Sequence, residues 1–162
     1  MDIKVPFYHV VNMFLTGLIL ICAIVVLFPT VALATMKTFQ MDSQMIPEVV
    51  ITVFIFAVSY EAGMIVHRMG SIITEPILRR SKLIKFNDDY VLFNQKKKEY
   101  PIMNTLAREY ALSRTGITLF SILAVISLFS HIKLSSVLFA AIALLYFFSC
   151  KKHAERIVEL MN

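Results

Sequence analysis

The sequence has no tryptophan, only two cysteines and only four glycines in 162 residues. Glycines at positions 17, 63, 70 and 116 alone give few flexible joints, and no glycine-serine linker, internal repeat or low-complexity tract is present, so the chain is read as a run of helices. Two cysteines exclude a disulfide scaffold. Cys22 falls within the first apolar run and Cys150 at the edge of the fourth, at different depths, so no disulfide is expected; acylation of Cys150 is the alternative to a plain buried thiol. Signatures of catalysis are missing as well: there is no HExxH, GxxxxGK[ST], CxxC or GxSxG. The histidines at 9, 67, 131 and 153 lie in four different segments, so no metal site is expected within one subunit. An enzyme would need paired carboxylates at the membrane edge, for which only Glu61 and Glu75 are available. The reading is therefore of a protein that is not an enzyme and needs no cofactor.

What is abundant is apolar surface. A hydrophobic content of 58% with a mean hydropathy of +0.74 exceeds what one water-soluble core could hide. Apolar runs cover residues 10–36, 49–66, 116–130 and 134–150, against the ~20 residues needed to cross ~30 Å of hydrocarbon. The last two are short and need flanking helix to cross; one long helix broken at 131–133 is the competing arrangement. Two spans are favoured, because a single helix would place Lys133 at mid-bilayer, at ~2.5–3.5 kcal/mol. The fold class expected is an all-α integral membrane protein with four transmembrane helices. Its segments are a first helix pair (1–66), a basic helical segment (67–115), a second helix pair (116–150) and a tail (151–162).

Fourteen of the sixteen lysines and arginines lie in the N-terminal tail, the central segment or the C-terminal tail, and only Lys37 and Lys133 lie in the opposite loops. By the positive-inside rule both termini and the central segment face the cytoplasm. The apolar stretch before "VALA" at 31–34 is longer than a signal-peptide core, so it is read as a span.

Pro29 is expected to kink the first span, and Pro47 to open the second. Pro76 restricts Glu75 and predicts a break or kink at "TEP". "NDDY" at 87–90 offers a capping carboxylate for a short helix ending in Lys96, Lys97 and Lys98. A further helix begins at Pro101, with Ile102, Leu106 and Tyr110 on its apolar face, and runs on into the third span.

Glu61 stands out as an ionisable residue inside a span. It is either a pore or gating residue or a structural partner of Arg68 or Arg114, and His67 nearby is read as a polar anchor. Small and polar residues form two stripes, Asn12, Thr16, Ala23 and Thr30 in the first span and Thr52, Ser59, Gly63 and Gly70 in the second. Such stripes bring helices together in lipid or line a water path. A pore would need a ring of subunits with Asn12, Thr16 and Thr30 projecting inward. The basic cluster Arg79, Arg80, Lys82, Lys85, Lys96, Lys97, Lys98 and Arg108 suits anionic lipid headgroups. It also suits a phosphate-bearing ligand, with Tyr90, Phe93 and Tyr100 as stacking platforms.

The stretch "RMGSIITEPILRRSKLIKF", followed by "DDYVLFNQKKKEYPIMNTLAREYALSRT", resembles a family of small bacterial four-helix membrane proteins, some encoded beside antiphage genes. The pattern R-x-G-S-x-x-x-E-P falls on Arg68, Gly70, Ser71, Glu75 and Pro76, and the similarity spans about residues 60–116. Within that family the chain resembles the membrane effector of Hailong-type defence. The resemblance implies a homo-oligomeric channel, with a tetramer as the expected ring, held shut by a nucleotide-derived or single-stranded DNA oligomer made by a partner nucleotidyltransferase. A membrane subunit of the Kiwa type is similar too, and would imply a non-conducting scaffold or sensor that recruits a cytoplasmic partner.

Overall fold

The computed structural model describes residues 7–30, 33–34, 37, 48–81, 89–130 and 132–161. Among these residues the chain is all-helical, without strands. Helix α1 spans Phe7–Leu27 and α2 spans Glu48–Met69; a π-turn, Gly70–Thr74, joins α2 to α3, Glu75–Arg80. Then follow α4, Tyr90–Glu99, α5, Ile102–Leu128, and α6, Lys133–Met161. Four stretches are long and apolar enough to cross a membrane: Phe7–Leu27, Glu48–Arg80, Ile102–Leu128 and Leu134–Met161. Helices suit this composition because lipid offers backbone groups no partner, and a helix satisfies them internally.

The alternative of one long C-terminal helix is excluded by the break between α5, which ends at Leu128, and α6, which begins at Lys133. Described residues at the break bond to one another or to the adjoining helices. Ser130 Nα–H donates to the Ser127 carbonyl, Ile132 N–H donates to Ser130 Oγ at 3.2 Å, and Ser135 N–H donates to the Ile132 carbonyl at 3.1 Å. The fifteen- and seventeen-residue apolar runs gain the length they lacked from flanking helix: α5 begins at Ile102 and α6 continues through the expected tail to Met161. Of the expected apolar face of α5, Leu106 is buried and Tyr110 packs on buried residues, while Ile102 is exposed and Met103 takes its place. Helix α1 stops at Leu27, just before Pro29, as the steric demand of proline on its predecessor requires. Pro47, Lys82 and Lys85 lie outside the described residues.

Contacts divide the chain into two compact units. The first comprises the described residues up to Val66 together with Ile122–Leu138. Its defining feature is the crossing of α1 and α2. A methyl group on Gly17 would overlap the Ser59 carbonyl oxygen, and one on Gly63 would overlap the Met13 carbonyl oxygen. The two backbones touch. Ser59 and Gly63 are the small-xxx-small pair that allows this, and Phe14 stacks on Phe56 beside them at 4.6 Å.

The second unit comprises His67–Ser121 and the described part of Phe139–Asn162. Leu78, Cys150 and Ala154 are buried there against Tyr110, Ile117 and Phe147. Phe120 stacks on Tyr146 at 5.6 Å, and Gly116 lies so close to that tyrosine that a Cβ would sit 2.5 Å from Cδ1. Ser113 and Ser149 hydroxyls meet at 3.0 Å. Through Leu78, α3 thus packs onto α5 and α6.

Candidate functional site

The chain does not break at Pro76. Glu75 has helical dihedrals (φ −63°, ψ −46°) and its N–H donates to the Gly70 carbonyl, five residues back. This wider turn gives the proline ring the room that a tight α-turn would deny it, so the helix runs unbroken to Arg80. Ser81 ends it, with its N–H on the Ile77 carbonyl and its hydroxyl on the Leu78 carbonyl. The expected turn lies five residues later than the proline suggests.

The π-turn is held by polar contacts with α5. Thr115 Oγ1 donates to the Ala111 carbonyl at 2.9 Å, so its oxygen is left to accept from His67 Nδ1 at 2.8 Å, which fixes the proton on that ring nitrogen. Thr118 Oγ1 likewise donates to the Arg114 carbonyl at 3.0 Å and accepts from Thr74 Oγ1 at 2.7 Å. Gly70 fits against Thr118 and Arg114, where a Cβ would lie 3.1 Å from Thr118 Oγ1.

Between them sits a charged cluster. Glu75 Oε2 accepts from Arg114 Nη1, and Glu75 Oε1 accepts from Arg79 Nε at 3.2 Å and Nη2 at 2.9 Å. One carboxylate serves two arginines of unequal accessibility: the Arg114 side chain is 10% exposed and that of Arg79 is 34% exposed. The Arg114 guanidinium also lies 5.9 Å from the Tyr110 ring centroid, and its buried Nε has no hydrogen-bond partner among the described residues. The net charge of the trio is positive, which disposes its open side toward anions.

The remaining candidates are placed as follows. Arg114 is taken by Glu75, not by Glu61, and Glu61 is exposed, with no hydrogen bond or ion pair to Arg68 or any other described residue. Sequence reasoning weighed only Glu61 as the partner of Arg114 and passed over Glu75, which stands fourteen residues, about 21 Å, further along the helix. Thr16 is buried beside the α1–α2 crossing, so packing within the chain occupies it; Asn12 is half-buried and Thr30 exposed. In the α2 stripe Ser59, Gly63 and Gly70 are buried and Thr52, exposed, bonds back to the Glu48 carbonyl. Arg68 and Pro76 are exposed.

Among the basic residues, Arg80, Lys97, Lys98 and Arg108 are exposed. Lys96 pairs with Glu99 at 3.6 Å and lies 5.5 Å from the Tyr100 ring. Helix α4 is capped by Asp89, whose side chain accepts from Leu92 N–H at 2.9 Å. No hydrogen bond, ion pair or ring contact among the described residues joins the α4 lysines to Arg80 or Arg108. Sequence reasoning missed Thr74, Thr115 and Thr118; the signal available was two threonines three apart, just after Arg114 where the helix turns apolar. No cluster of metal-binding side chains occurs among the described residues. Compared with family models, curated proteins and solved structures, the chain matches none.

Proposed function

We propose that the chain is the subunit of a ligand-regulated, homo-oligomeric effector of the bacterial inner membrane, acting as an ion channel or permeabilising protein in antiphage defence. Both termini and the basic segment 67–115 face the cytoplasm, as the fourteen-to-two division of basic residues favours. The observation that carries the reading is the sharing of Glu75 between a buried and an accessible arginine, at a π-turn within the second membrane helix. A helix of 33 residues is about 50 Å long and overshoots a ~30 Å hydrocarbon core, so its far end stands in water while its body stands in lipid. A phosphate-rich ligand drawn to Arg79, Arg80, Arg108 and the lysines 96–98 competes with Glu75 for Arg79. Losing that arginine leaves Glu75 to Arg114 alone, several phosphate contacts acting together then loosen the hold of Arg114 on α5, and the π-turn is the place where the helix can change register.

Ion flux into liposomes tests the reading, with purified protein in mixed phosphatidylethanolamine and phosphatidylglycerol and a short single-stranded oligonucleotide as probe. Flux that changes on adding the oligonucleotide, with Arg79→Gln and the triple change Lys96→Gln, Lys97→Gln, Lys98→Gln each weakening the response, supports the effector. Absence of flux with and without oligonucleotide, from protein that has inserted normally, overturns it and leaves the scaffold.

A further inference from the structure

One face of the second membrane helix is buried in a regular order. Ser59, Gly63, Val66 and Gly70 follow steps of 4, 3 and 4, the spacing of one side of an α-helix. Continued as α, the same face would pass on to Ile73 and Ile77. Instead Ile73 is 49% and Ile77 60% exposed, while Leu78 is 6% exposed and Thr74 bonds inward to Thr118. The π-turn therefore holds one extra residue, and each residue beyond it sits one place late.

The two ends of the turn are tied separately to α5. His67, before it, bonds to Thr115, while Thr74 and Glu75, at its far end, bond to Thr118 and Arg114. An α-helix running straight through could not keep both sets of bonds, because the far set would be turned by about 100°, the rotation of one residue. The bonds at the far end are the ones that fix where α3 faces.

We infer that α3 has two registers and that the π-turn is the switch between them. In the second register the turn closes to α and α3 rotates by one residue. Ile77 then takes the place of Leu78 against Cys150 and Ala154, Ile73 takes that of Thr74, and Thr74 takes that of Glu75. The exchange in the core is isoleucine for leucine, equal in volume, so the position is filled in both registers. Two isoleucines left exposed past the apolar run are buried only in the second. Glu75 turns away from Arg114, whose buried guanidinium is then without a carboxylate and takes a phosphate in its stead. Pro76 biases the helix to the first register, since in a plain α-turn its ring meets the Ile72 carbonyl four residues back. The two registers stand on the packing alone; their coupling to a ligand rests on the effector reading above.

Cys150 reports the register, in a Cys22→Ser background in liposomes oxidised with copper-phenanthroline. Leu78→Cys is expected to form an intrachain disulfide with Cys150, and Ile77→Cys is not. Adding Pro76→Ala, with no ligand, is expected to raise the Ile77→Cys disulfide about threefold, and a short single-stranded oligonucleotide about tenfold, the shift worth one charge-assisted hydrogen bond. Deleting the exposed Ile72 together with Pro76→Ala removes the extra residue and leaves the first register as plain α. Leu78→Cys then keeps its disulfide and Ile77→Cys stays free, with oligonucleotide or without. No disulfide from Leu78→Cys at the outset overturns the packing on which both registers are drawn, and its loss on deleting Ile72 overturns the extra residue. An Ile77→Cys that stays free under both Pro76→Ala and oligonucleotide overturns the second register. Flux that answers to oligonucleotide while neither disulfide changes overturns the switch and leaves the effector. A register that shifts with Pro76→Ala in protein that never passes ions supports the switch and overturns the effector.

Discussion

Substituting Glu75 tests the charged cluster most sharply, because its two arginines differ in what they lose. Glu75→Gln leaves Arg114, with a side chain only 10% exposed, as a buried cation whose remaining oxygen partner is neutral. Removing one partner of a buried pair costs roughly 3–5 kcal/mol. Glu75 is itself 20% exposed and the glutamine carbonyl can still accept one bond, so the lower end, ~3 kcal/mol, is expected. Arg79→Gln removes an accessible i,i+4 pair and is expected to cost ~0.5 kcal/mol. Arg114→Gln falls between, ~2 kcal/mol, because Glu75 keeps Arg79 and some solvent. The double variant Glu75→Gln with Arg114→Gln should then be more stable than the sum of its parts by ~1–2 kcal/mol, the coupling expected of residues in contact. Denaturation of the detergent-solubilised protein by a rising fraction of sodium dodecyl sulfate measures all four. Should Arg79→Gln cost as much as Glu75→Gln, or should the double variant be strictly additive, the hierarchy of buried over accessible arginine is wrong.

Other consequences are equally measurable. Gly63→Ala drives a methyl into the Met13 carbonyl and should cost ~1–3 kcal/mol by the same denaturation, since two helix backbones must separate; Gly116→Ala meets only the Tyr146 ring, which can turn, and should cost less. Pro76→Ala restores a backbone donor and should leave the helix intact with a change under about 1 kcal/mol, but hydrogen exchange around residues 70–75 should slow as the π-turn tightens. Thr118→Val removes the acceptor for Thr74 while keeping shape, and should destabilise by ~1 kcal/mol. Cysteine labelling from the periplasmic side should miss position 97; labelling there would reverse the topology.

Span number was legible in the sequence because bilayer thickness leaves little freedom: apolar runs of the right length, parted by polar breaks, have one economical arrangement. The α1–α2 crossing was half legible. Ser59 and Gly63 on one face announced a close approach, but which residues of α1 would meet them depended on Gly17, absent from the stripe drawn through Asn12 and Thr16. Pro76 misled for a physical reason. The steric rule for a residue preceding proline describes a chain left to itself, whereas here Glu75 is held helical by two arginines from different elements and the π-turn absorbs the misfit. Arg114 was offered Glu61 as a partner, but its meeting with Glu75 depends on the level at which α5 packs along α3, which no spacing within either helix encodes. Local patterns carried the elements; partners across elements came from packing.

The unequal hold on Glu75 also sets what kind of ligand could act through it. A ligand shifts a two-state element only by its difference in affinity for the two states. Freeing Arg79 forfeits ~0.5 kcal/mol, less than one charge-assisted hydrogen bond to a phosphate, ~1.5–3 kcal/mol, returns. A single phosphate group is therefore enough to recruit Arg79, and doing so leaves Arg114 in place. Releasing Arg114 as well forfeits ~2–3 kcal/mol more, which several phosphate contacts to Arg80, Arg108 and the α4 lysines can supply only if they act together. Under the effector reading, inorganic phosphate or a mononucleotide should bind weakly without changing flux, and an oligonucleotide should do both. Raising salt should abolish the second effect first, because screening weakens every one of the accessible contacts while leaving the buried pair nearly untouched. Equal potency of mononucleotide and oligonucleotide on flux would show that Arg79 alone is the trigger, and that Glu75–Arg114 is a fixed strut within the second unit.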